Sequence, residues 1–257
     1  MSGFSWKGSG TGACRNPSSL EPEPEISQLD SGAPCCLDLE KPFPFPSVNR
    51  LFYRALVAFG KLPVYAASSR MIAGREHFRG VKGVLLVANH PHYFDSMLIM
   101  GGCPRPVRWL SMVEVSRGKF ARFFQWIGAV PLDRRRADPT AVRRIVQLLK
   151  QGEVVGIYPE GRIQQGPDSV TQGGKMNESL FRTAAMAGVP VIPCVVAGGE
   201  DFGQWTGWLP LGRTRWAVVF GAPVAASENL AADVRAALVS LYQTAAAHVK
   251  GGSSPAL

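Results

Sequence analysis

The chain has 257 residues, with 28 Lys and Arg against 19 Asp and Glu, and its net charge is therefore +9. Hydrophobic residues make up 46% and charged residues 18%, which excludes a wholly disordered chain, a collagen and a coiled coil. A chain of this length buries a core large enough to fold without disulfides. The five cysteines are odd in number and irregularly spaced, so we expect a reducing compartment and neither a disulfide framework nor a bound metal.

The N-terminal segment, residues 1–47, differs in composition from the remainder. It holds three basic and six acidic residues, a net charge of −3, which leaves +12 for the rest of the chain. It also holds seven of the 20 prolines and has no apolar periodicity. We predict a disordered leader, although an extension without any function explains the composition as well. The leader lacks a basic stretch followed by an apolar one, so we expect no signal peptide.

Residues 48–70 intersperse apolar side chains with arginine and lysine. The pattern predicts a helix, a kink at Pro63 and a second short helix. Basic residues beside exposed apolar ones are typical of a helix that lies on a membrane surface. A helix packed on the core, with its Arg and Lys reaching solvent, fits the segment equally well. No stretch of about 18 uninterrupted apolar residues occurs, so we expect no standard transmembrane helix.

The remainder, residues 71–250, alternates strand-like with helix-like segments. Strand-like apolar runs occupy 84–88, 107–111, 153–158, 191–196 and 216–220. Helix-like segments occupy 116–126, 138–152, 180–187 and 230–248, and the third of these ends at Gly188. This order predicts an α/β fold, a single domain whose largely parallel central sheet is flanked by helices. The segment 48–70 would precede it as an amphipathic N-terminal helix.

Reactive side chains follow the apolar run 84–88 directly. In open α/β sheets, ligand sites lie beyond the carboxyl ends of the strands. If a helix begins near Tyr93, Asp95 lies in its first turn and its carboxylate reaches the imidazole of His90. A carboxylate on one ring nitrogen leaves the other free to take a proton from a hydroxyl. For an arbitrary pair at this spacing, however, a helix cap and an ordinary loop histidine are the commoner explanation. His92, inside the motif, is either a spacer or a second base.

A second polar segment, 158–162, follows the strand-like run 153–158. Its Gly161 permits a tight turn, and the guanidinium of Arg162 can bind phosphate or carboxylate. The segment 128–134 ends in Arg134, and two more arginines follow. Three consecutive arginines indicate an anionic partner. Solvent-exposed charges before the next helix explain them equally well.

Taken in order, these segments resemble the sequence blocks of the PlsC-like 1-acylglycerol-3-phosphate O-acyltransferases, the glycerophospholipid acyltransferase family. That family carries NHxxxxD, a G-x-x-x-x-x-R block, FPEGTRS and a VPVIPV-like strand. The corresponding residues here are Asn89-His90 with Asp95, Gly128 with Arg134, 158–162 and 189–193. The resemblance covers roughly residues 50–248.

The resemblance implies an O-acyltransferase that moves a fatty acyl group from an acyl thioester to the hydroxyl of a lysophospholipid, chiefly 1-acylglycerol-3-phosphate. His90 would be the general base, oriented by Asp95. Arg134 and Arg162 would hold the acceptor phosphate. Glu160 would order these arginines or contact the acceptor, and Gly161 would let the backbone approach it. The resemblance implies no bound cofactor, and acyl-CoA or acyl carrier protein would be the co-substrate.

One block departs from the family pattern. It lacks the threonine between Gly161 and Arg162, so the arginine comes one residue early. Two alternatives therefore stay open: an acyltransferase for another lysolipid, such as an aminolipid or a glycolipid, and a non-catalytic membrane-binding homologue. The four residues Phe94, Phe123, Phe124 and Trp126 are candidates to line an acyl groove, although core packing is the simpler explanation.

The charge of +12 on residues 48–257 indicates anionic partners. An anionic phospholipid surface attracts such a chain, as does coenzyme A or acyl carrier protein. Because no recognised nucleic-acid motif is present, we expect no nucleic-acid partner. We expect membrane association on the cytoplasmic face.

Overall fold

The computed structural model describes residues 49–112, 121–132, 138–204, 207 and 214–251. The predicted leader 1–47 lies outside these residues, as does Arg134. The same is true of residues 116–120, the start of one predicted helix.

Strands and helices alternate along most of the described chain. The strands are β1 (Ser68–Ala73), β2 (Val84–Ala88), β3 (Val107–Met112), β4 (Val130–Leu132), β5 (Val154–Ile157), β6 (Val191–Gly198) and β7 (Thr214–Phe220). The α-helices are α1 (Arg50–Ala67), α2 (Asp95–Gly102), α3 (Ala121–Trp126), α4 (Pro139–Lys150), α5 (Arg182–Ala187) and α6 (Leu230–Val249). Short 3₁₀ turns lie at Arg75–Phe78, Gly166–Asp168, Val170–Gln172, Ser179–Phe181 and Glu200–Gly203.

The strands form one seven-stranded sheet in the order β1-β7-β6-β2-β5-β3-β4. All neighbouring pairs are parallel except β6 and β7, which are antiparallel. The predicted largely parallel sheet flanked by helices is therefore confirmed. β1 and β7 therefore run in one direction and the other five strands in the opposite one.

The central strand β2 is buried on both faces of the sheet. Its side chains at 84, 86 and 88 belong to the hydrophobic core on the side of α1 and α2. Those at 85 and 87 belong to the core on the side of α4 and α6. This double burial explains why the strand is a continuous apolar run rather than an alternating one.

The region predicted as two helices with a kink at Pro63 is instead one helix followed by a strand. α1 continues through Pro63, and residues 68–70 belong to β1, which pairs in parallel with β7. Proline lacks the amide N–H and removes one intrahelical hydrogen bond. The helix persists past it because Val64 and Ala67 are buried against the core and hold the last turn in place.

The predicted start of α4 is confirmed in detail. The Asp138 side chain accepts a hydrogen bond from the Ala141 amide at 2.9 Å, and Pro139 occupies the first helical position. The strands β1 and β4 were not predicted. β1 continues directly from a helix, and β4 has only three residues, so neither carries a strong period-two pattern.

Candidate active site

The loop after β2 carries a histidine and an aspartate in direct contact. His90 Nδ1 lies 2.8 Å from Asp95 Oδ2. Asp95 is the first residue of α2 and is completely buried, whereas the His90 side chain is 20% exposed. The spacing thus brings the two together through an early helix turn, as predicted. With Nδ1 bound to the carboxylate, Nε2 is the nitrogen available for a substrate proton.

The imidazole of His90 is the outer layer of a stack of three rings. The ring of Tyr158 lies parallel to it, with centroids 4.0 Å apart and planes 12° apart. Trp109 stacks on the other face of Tyr158 at 4.5 Å. The Tyr158 hydroxyl lies 2.7 Å from Ser96 Oγ. Burial raises the pKa of Tyr158 well above its ordinary value, so the phenol stays neutral. The stack fixes the plane of the His90 ring.

Asn89 fixes the end of β2 rather than contributing a reactive group. Its Oδ1 accepts from the Val196 amide at 2.8 Å, and its Nδ2 donates to the Val196 carbonyl at 2.9 Å. The side chain is buried. These two bonds join the ends of β2 and β6 and set the position of the residue that follows, His90.

The carboxylate of Glu160 joins two loops. Its Oε2 accepts from the backbone N–H of His90 at 2.8 Å. Its Oε1 accepts from Ser169 Oγ at 2.9 Å and from the Val170 amide at 2.7 Å. Burial raises the pKa of Glu160, against the opposing effect of these hydrogen bonds. The Gln164 amide donates to the His90 carbonyl at 2.9 Å, so the loop after β5 binds both backbone groups of His90.

Gly161 and Arg162 lie in that same loop. Gly161 has φ of +70°, the left-handed region that favours glycine, and a Cβ there would meet no protein atom within 4 Å. Arg162 is exposed. Its Nε lies 2.6 Å and its Nη2 3.1 Å from the Gln164 side-chain amide, whose oxygen accepts from both. The Arg162 guanidinium therefore lies at the surface, and Gln164 links it to the His90 carbonyl.

An apolar cavity of about 400 Å³ lies between α1, α2, α3 and β3. Phe94, Phe123 and Phe124 line it, as do Ser96 and Trp109. Ser96 and Trp109 both contact Tyr158, so only the Tyr158 ring separates this wall of the cavity from the His90 ring. Trp126, the remaining aromatic candidate, is 49% exposed and packs edge-on against Phe52 at 4.9 Å. Three of the four aromatic candidates thus border the cavity instead of being enclosed in the core.

The outward face of α1 exposes large apolar side chains. Leu51, Phe59 and Leu62 are 81%, 77% and 73% exposed. Arg50 and Arg54 lie on the same helix and are also exposed. Among the helices of the described residues, none is long and apolar enough to cross a membrane.

Sequence reasoning missed the surroundings of His92. Its ring is buried, with Nε2 2.8 Å from the Gly198 carbonyl and Nδ1 2.9 Å from Asp95 Oδ1. Both ring nitrogens therefore have protein neighbours, so His92 is not placed to act as a second base. Nothing in the spacing of the motif indicates this contact, because Gly198 is far away along the chain. In the described part of the chain, no three His, Cys, Asp or Glu residues are grouped to hold a metal ion.

Comparison with known proteins gives a consistent result. Residues 70–197 match the family model described as Acyltransferase. The 1-acyl-sn-glycerol-3-phosphate acyltransferase of Bacillus subtilis (strain 168) is 23% identical over 129 residues, which are 49% of this chain and 62% of that protein. The chain thus matches less than two thirds of that relative's length.

A solved structure shares the fold. The crystal structure of the 1-acyl-sn-glycerophosphate (LPA) acyltransferase PlsC from Thermotoga maritima superposes with a TM-score of 0.61 at 20% identity. The superposition covers 80% of this chain and 83% of that one.

Proposed function

Because residues 70–197 belong to the acyltransferase family, we propose that the protein transfers a fatty acyl group from an acyl thioester to the hydroxyl of a lysophospholipid. The acceptor we propose is 1-acylglycerol-3-phosphate, the substrate in the name of the Bacillus relative. One observation carries the proposal: the His90–Asp95 contact of 2.8 Å lies beside an apolar cavity.

In the proposed reaction His90 acts as a general base. Its Nε2 takes the proton of the acceptor hydroxyl while the hydroxyl oxygen attacks the thioester carbonyl carbon. Asp95 stabilises the imidazolium that forms. The carbon–sulfur bond then breaks, and the departing thiolate takes the proton back from His90. A positioned base of this kind contributes about 10² to 10⁴ in rate.

This mechanism needs no covalent acyl-enzyme, because a thioester is already an activated donor. The two cysteines of the described residues support this choice. Cys103 and Cys194 are both buried. Burial raises the pKa of the Cys103 thiol to about 11 and raises that of Cys194 as well, so both stay protonated and poorly nucleophilic.

The apolar cavity is the proposed site of the acyl chain. It is walled by aromatic and aliphatic side chains and begins beside the ring stack that ends in His90. Each methylene that moves from water into such a cavity contributes about 0.8 kcal/mol. A chain in the cavity would leave its carbonyl near the imidazole, where the attack takes place.

The acceptor phosphate is the proposed partner of Arg162, together with Arg134 of the preceding arginine block. An exposed guanidinium offers two parallel donors to a phosphate. In this proposal Gly161 leaves open space beside that phosphate, in keeping with the lack of protein atoms around its Cβ position. Glu160 acts there through the His90 backbone, since both of its oxygens already accept hydrogen bonds from protein groups.

We further propose that the exposed face of α1 associates with the membrane, on the cytoplasmic side. Leu51, Phe59 and Leu62 would enter the interfacial region, with Arg50 and Arg54 beside anionic headgroups. This arrangement would bring the cavity, which α1 helps to line, next to the bilayer that holds its lipid substrates.

The decisive experiment is transfer of a labelled long-chain acyl group to a panel of lysophospholipids and to glycerol 3-phosphate. Acyl-CoA and acyl carrier protein are tested separately as donors. We expect transfer to 1-acylglycerol-3-phosphate by the wild type and by the control His77→Ala, and loss of transfer in His90→Ala.

Two results would change the proposal. Transfer to an aminolipid or glycolipid acceptor alone would keep the mechanism and replace the acceptor. Vesicle binding without transfer from either donor to any acceptor would identify a non-catalytic membrane-binding homologue.

A further inference from the structure

His92 connects the catalytic loop to the far end of β6. Its Nε2 lies 2.8 Å from the Gly198 carbonyl oxygen, and its Nδ1 lies 2.9 Å from Asp95 Oδ1. Its backbone N–H donates to Asp95 Oδ2 at 3.0 Å. The residue is only 8% exposed. His92 is therefore enclosed by protein, whereas the His90 side chain is 20% exposed.

The Asp95 carboxylate lies between two imidazoles. Oδ2 faces His90 Nδ1, and Oδ1 faces His92 Nδ1. Among the described residues, Oδ1 receives no well-aligned hydrogen bond. A completely buried carboxylate oxygen carries a large desolvation cost unless a donor or a positive charge lies beside it. The His92 ring is the group placed to supply that charge.

The surroundings of His92 favour a proton on both ring nitrogens. Nε2 must carry hydrogen, because the carbonyl of Gly198 can only accept. A bare Nδ1 would direct its lone pair at a carboxylate oxygen 2.9 Å away, whereas a protonated one attracts it. The Phe94 amide lies 3.3 Å from Nδ1 and would suit the bare form, but this contact is longer and involves a neutral donor.

The charged neighbours of His92 act in the same direction. Burial alone would lower its pKa, but Asp95, the Gly198 carbonyl and Glu200 outweigh burial and raise the pKa above its ordinary value. Two further titratable groups lie beyond Asp95 as seen from His92. His90 contacts the other carboxylate oxygen of Asp95, and Glu160 accepts a hydrogen bond from the His90 backbone N–H.

We propose that His92 is a positively charged positioning residue, which holds the Asp95 carboxylate against His90 and is itself anchored on Gly198. This inference rests on the proposed acyltransferase function. A cation beside the buried carboxylate offsets the cost of burying its charge and so favours the geometry that holds Asp95 against His90.

Two substitutions separate the parts of this role. In His92→Asn, the side-chain amide takes the place of Nδ1, so a neutral donor still faces Asp95. In His92→Gln, the amide takes the place of Nε2, so the donor to Gly198 remains but the one to Asp95 is lost. Neither change touches a group that contacts substrate.

We expect distinct kinetics from the two variants. His92→Gln should lose about 10-fold to 100-fold in kcat, the range for a lost hydrogen bond to a charged group, with KM for both substrates unchanged. His92→Asn should retain most of kcat at high pH. A decline of the wild-type rate at high pH, caused by loss of the His92 charge, should be absent from the pH–rate profile of His92→Asn. Identical pH profiles for wild type and His92→Asn, or a change in KM alone, would overturn the proposal.

A second measurement does not depend on activity. The chain has four histidines, so the ring nitrogens are resolvable by long-range ¹⁵N–¹H NMR of the intact protein. We expect one buried histidine, absent from the spectrum of His92→Asn, to carry protons on both nitrogens at neutral pH. A neutral ring with one bare nitrogen at His92 would overturn the proposal even if the enzyme proves active. An inactive wild type with a doubly protonated His92 would instead contradict only the proposed function.

Discussion

The backbone N–H of His90 donates a hydrogen bond to the carboxylate of Glu160 at 2.8 Å. Sequence reasoning placed Glu160 with the substrate-binding residues, beside Arg162. The structure gives its two oxygens three protein donors, on His90, Ser169 and Val170. The glutamate therefore holds the loop that carries His90 in place from the loop after β5, and its effect on activity should be indirect.

Glu160→Gln should lower kcat by roughly 10-fold and the free energy of unfolding by about 1–3 kcal/mol. Both carboxylate oxygens of Glu160 accept hydrogen bonds, but a glutamine amide has one oxygen only. Its NH₂ group would therefore face a donor, either the His90 N–H or the donors on Ser169 and Val170. Steady-state kinetics and urea unfolding measure the two effects, with the exposed Glu178→Gln as control. A raised KM for the acceptor at unchanged kcat would show instead that Glu160 binds substrate.

Tyr158 offers a matched pair of variants for the ring stack. Tyr158→Phe keeps the ring against His90 and removes only the contact with Ser96, so kcat should fall by about threefold at most. Tyr158→Ala removes the ring and frees the imidazole, and kcat should fall by at least about 10-fold, since catalysis depends on orientation. Equal losses in both variants would show that the hydroxyl, not the stacking, matters.

If the acyl chain occupies the cavity, a larger side chain at Gly101 should change how the rate of transfer depends on acyl-chain length. Gly101 lines the cavity, and a Cβ at this position would lie 3.5 Å from Lys61 Cε, an ordinary contact. Gly101→Ala should therefore be tolerated, whereas Gly101→Leu fills part of the space. Because each buried methylene contributes about 0.8 kcal/mol, the leucine variant should lose at least about 10-fold in kcat/KM for a long acyl thioester relative to a short one. An unchanged ratio would place the chain elsewhere.

Membrane association predicts a strong effect of polar residues on the outer face of α1. Phe59→Glu should reduce partitioning onto phosphatidylcholine vesicles by about 10-fold or more, since burying a Phe side chain contributes about 1.5–3 kcal/mol. Met186→Glu is the control: Met186 is 40% exposed on α5, which packs on the other face of the sheet. Cosedimentation measures the difference. Equal losses in both variants would indicate a general effect of charge.

The raised pKa of His92 also predicts how stability depends on pH. A histidine whose pKa is higher in the folded state stabilises the protein most below its unfolded pKa, which is about 6.5. That contribution is lost as the pH rises through the higher, folded-state value. Urea unfolding of wild type and His92→Asn should therefore differ most at about pH 5.5 and least at about pH 9. A constant difference over this range would contradict a change of charge at His92.

Local patterns predicted those parts of the structure that local burial determines. β2 could be predicted because both of its faces are buried, which makes its sequence a continuous apolar run. α4 could be predicted because Asp138 and Pro139 mark its start. β1 was missed because it follows α1 without a break at the edge of the sheet, where burial does not impose a clear pattern.

The same distinction applies to the site. His90 and Asp95 lie within one loop and one helix turn, so their spacing permits the contact, and the other sequence blocks made it the expected one. The stack of His90 on Tyr158 arises because β2 and β5 are neighbours, which is a property of the sheet order. The contact of His92 with Gly198 likewise needs β6 beside β2. Such partners depend on the tertiary fold, and no local pattern encodes them.

The pairing of Asn89 with Val196 shows how a sheet can end and a reactive loop begin at adjacent residues. Its amide presents one acceptor and one donor to the backbone of a single residue, as the backbone of a neighbouring strand does. The side chain thus extends the hydrogen-bond ladder between β2 and β6 by one position and leaves neither the N–H nor the C=O of Val196 unpaired. The main chain is thereby released from strand geometry one residue early. His90 can turn its ring away from the sheet while the backbone N–H and C=O of Val196 keep their hydrogen bonds.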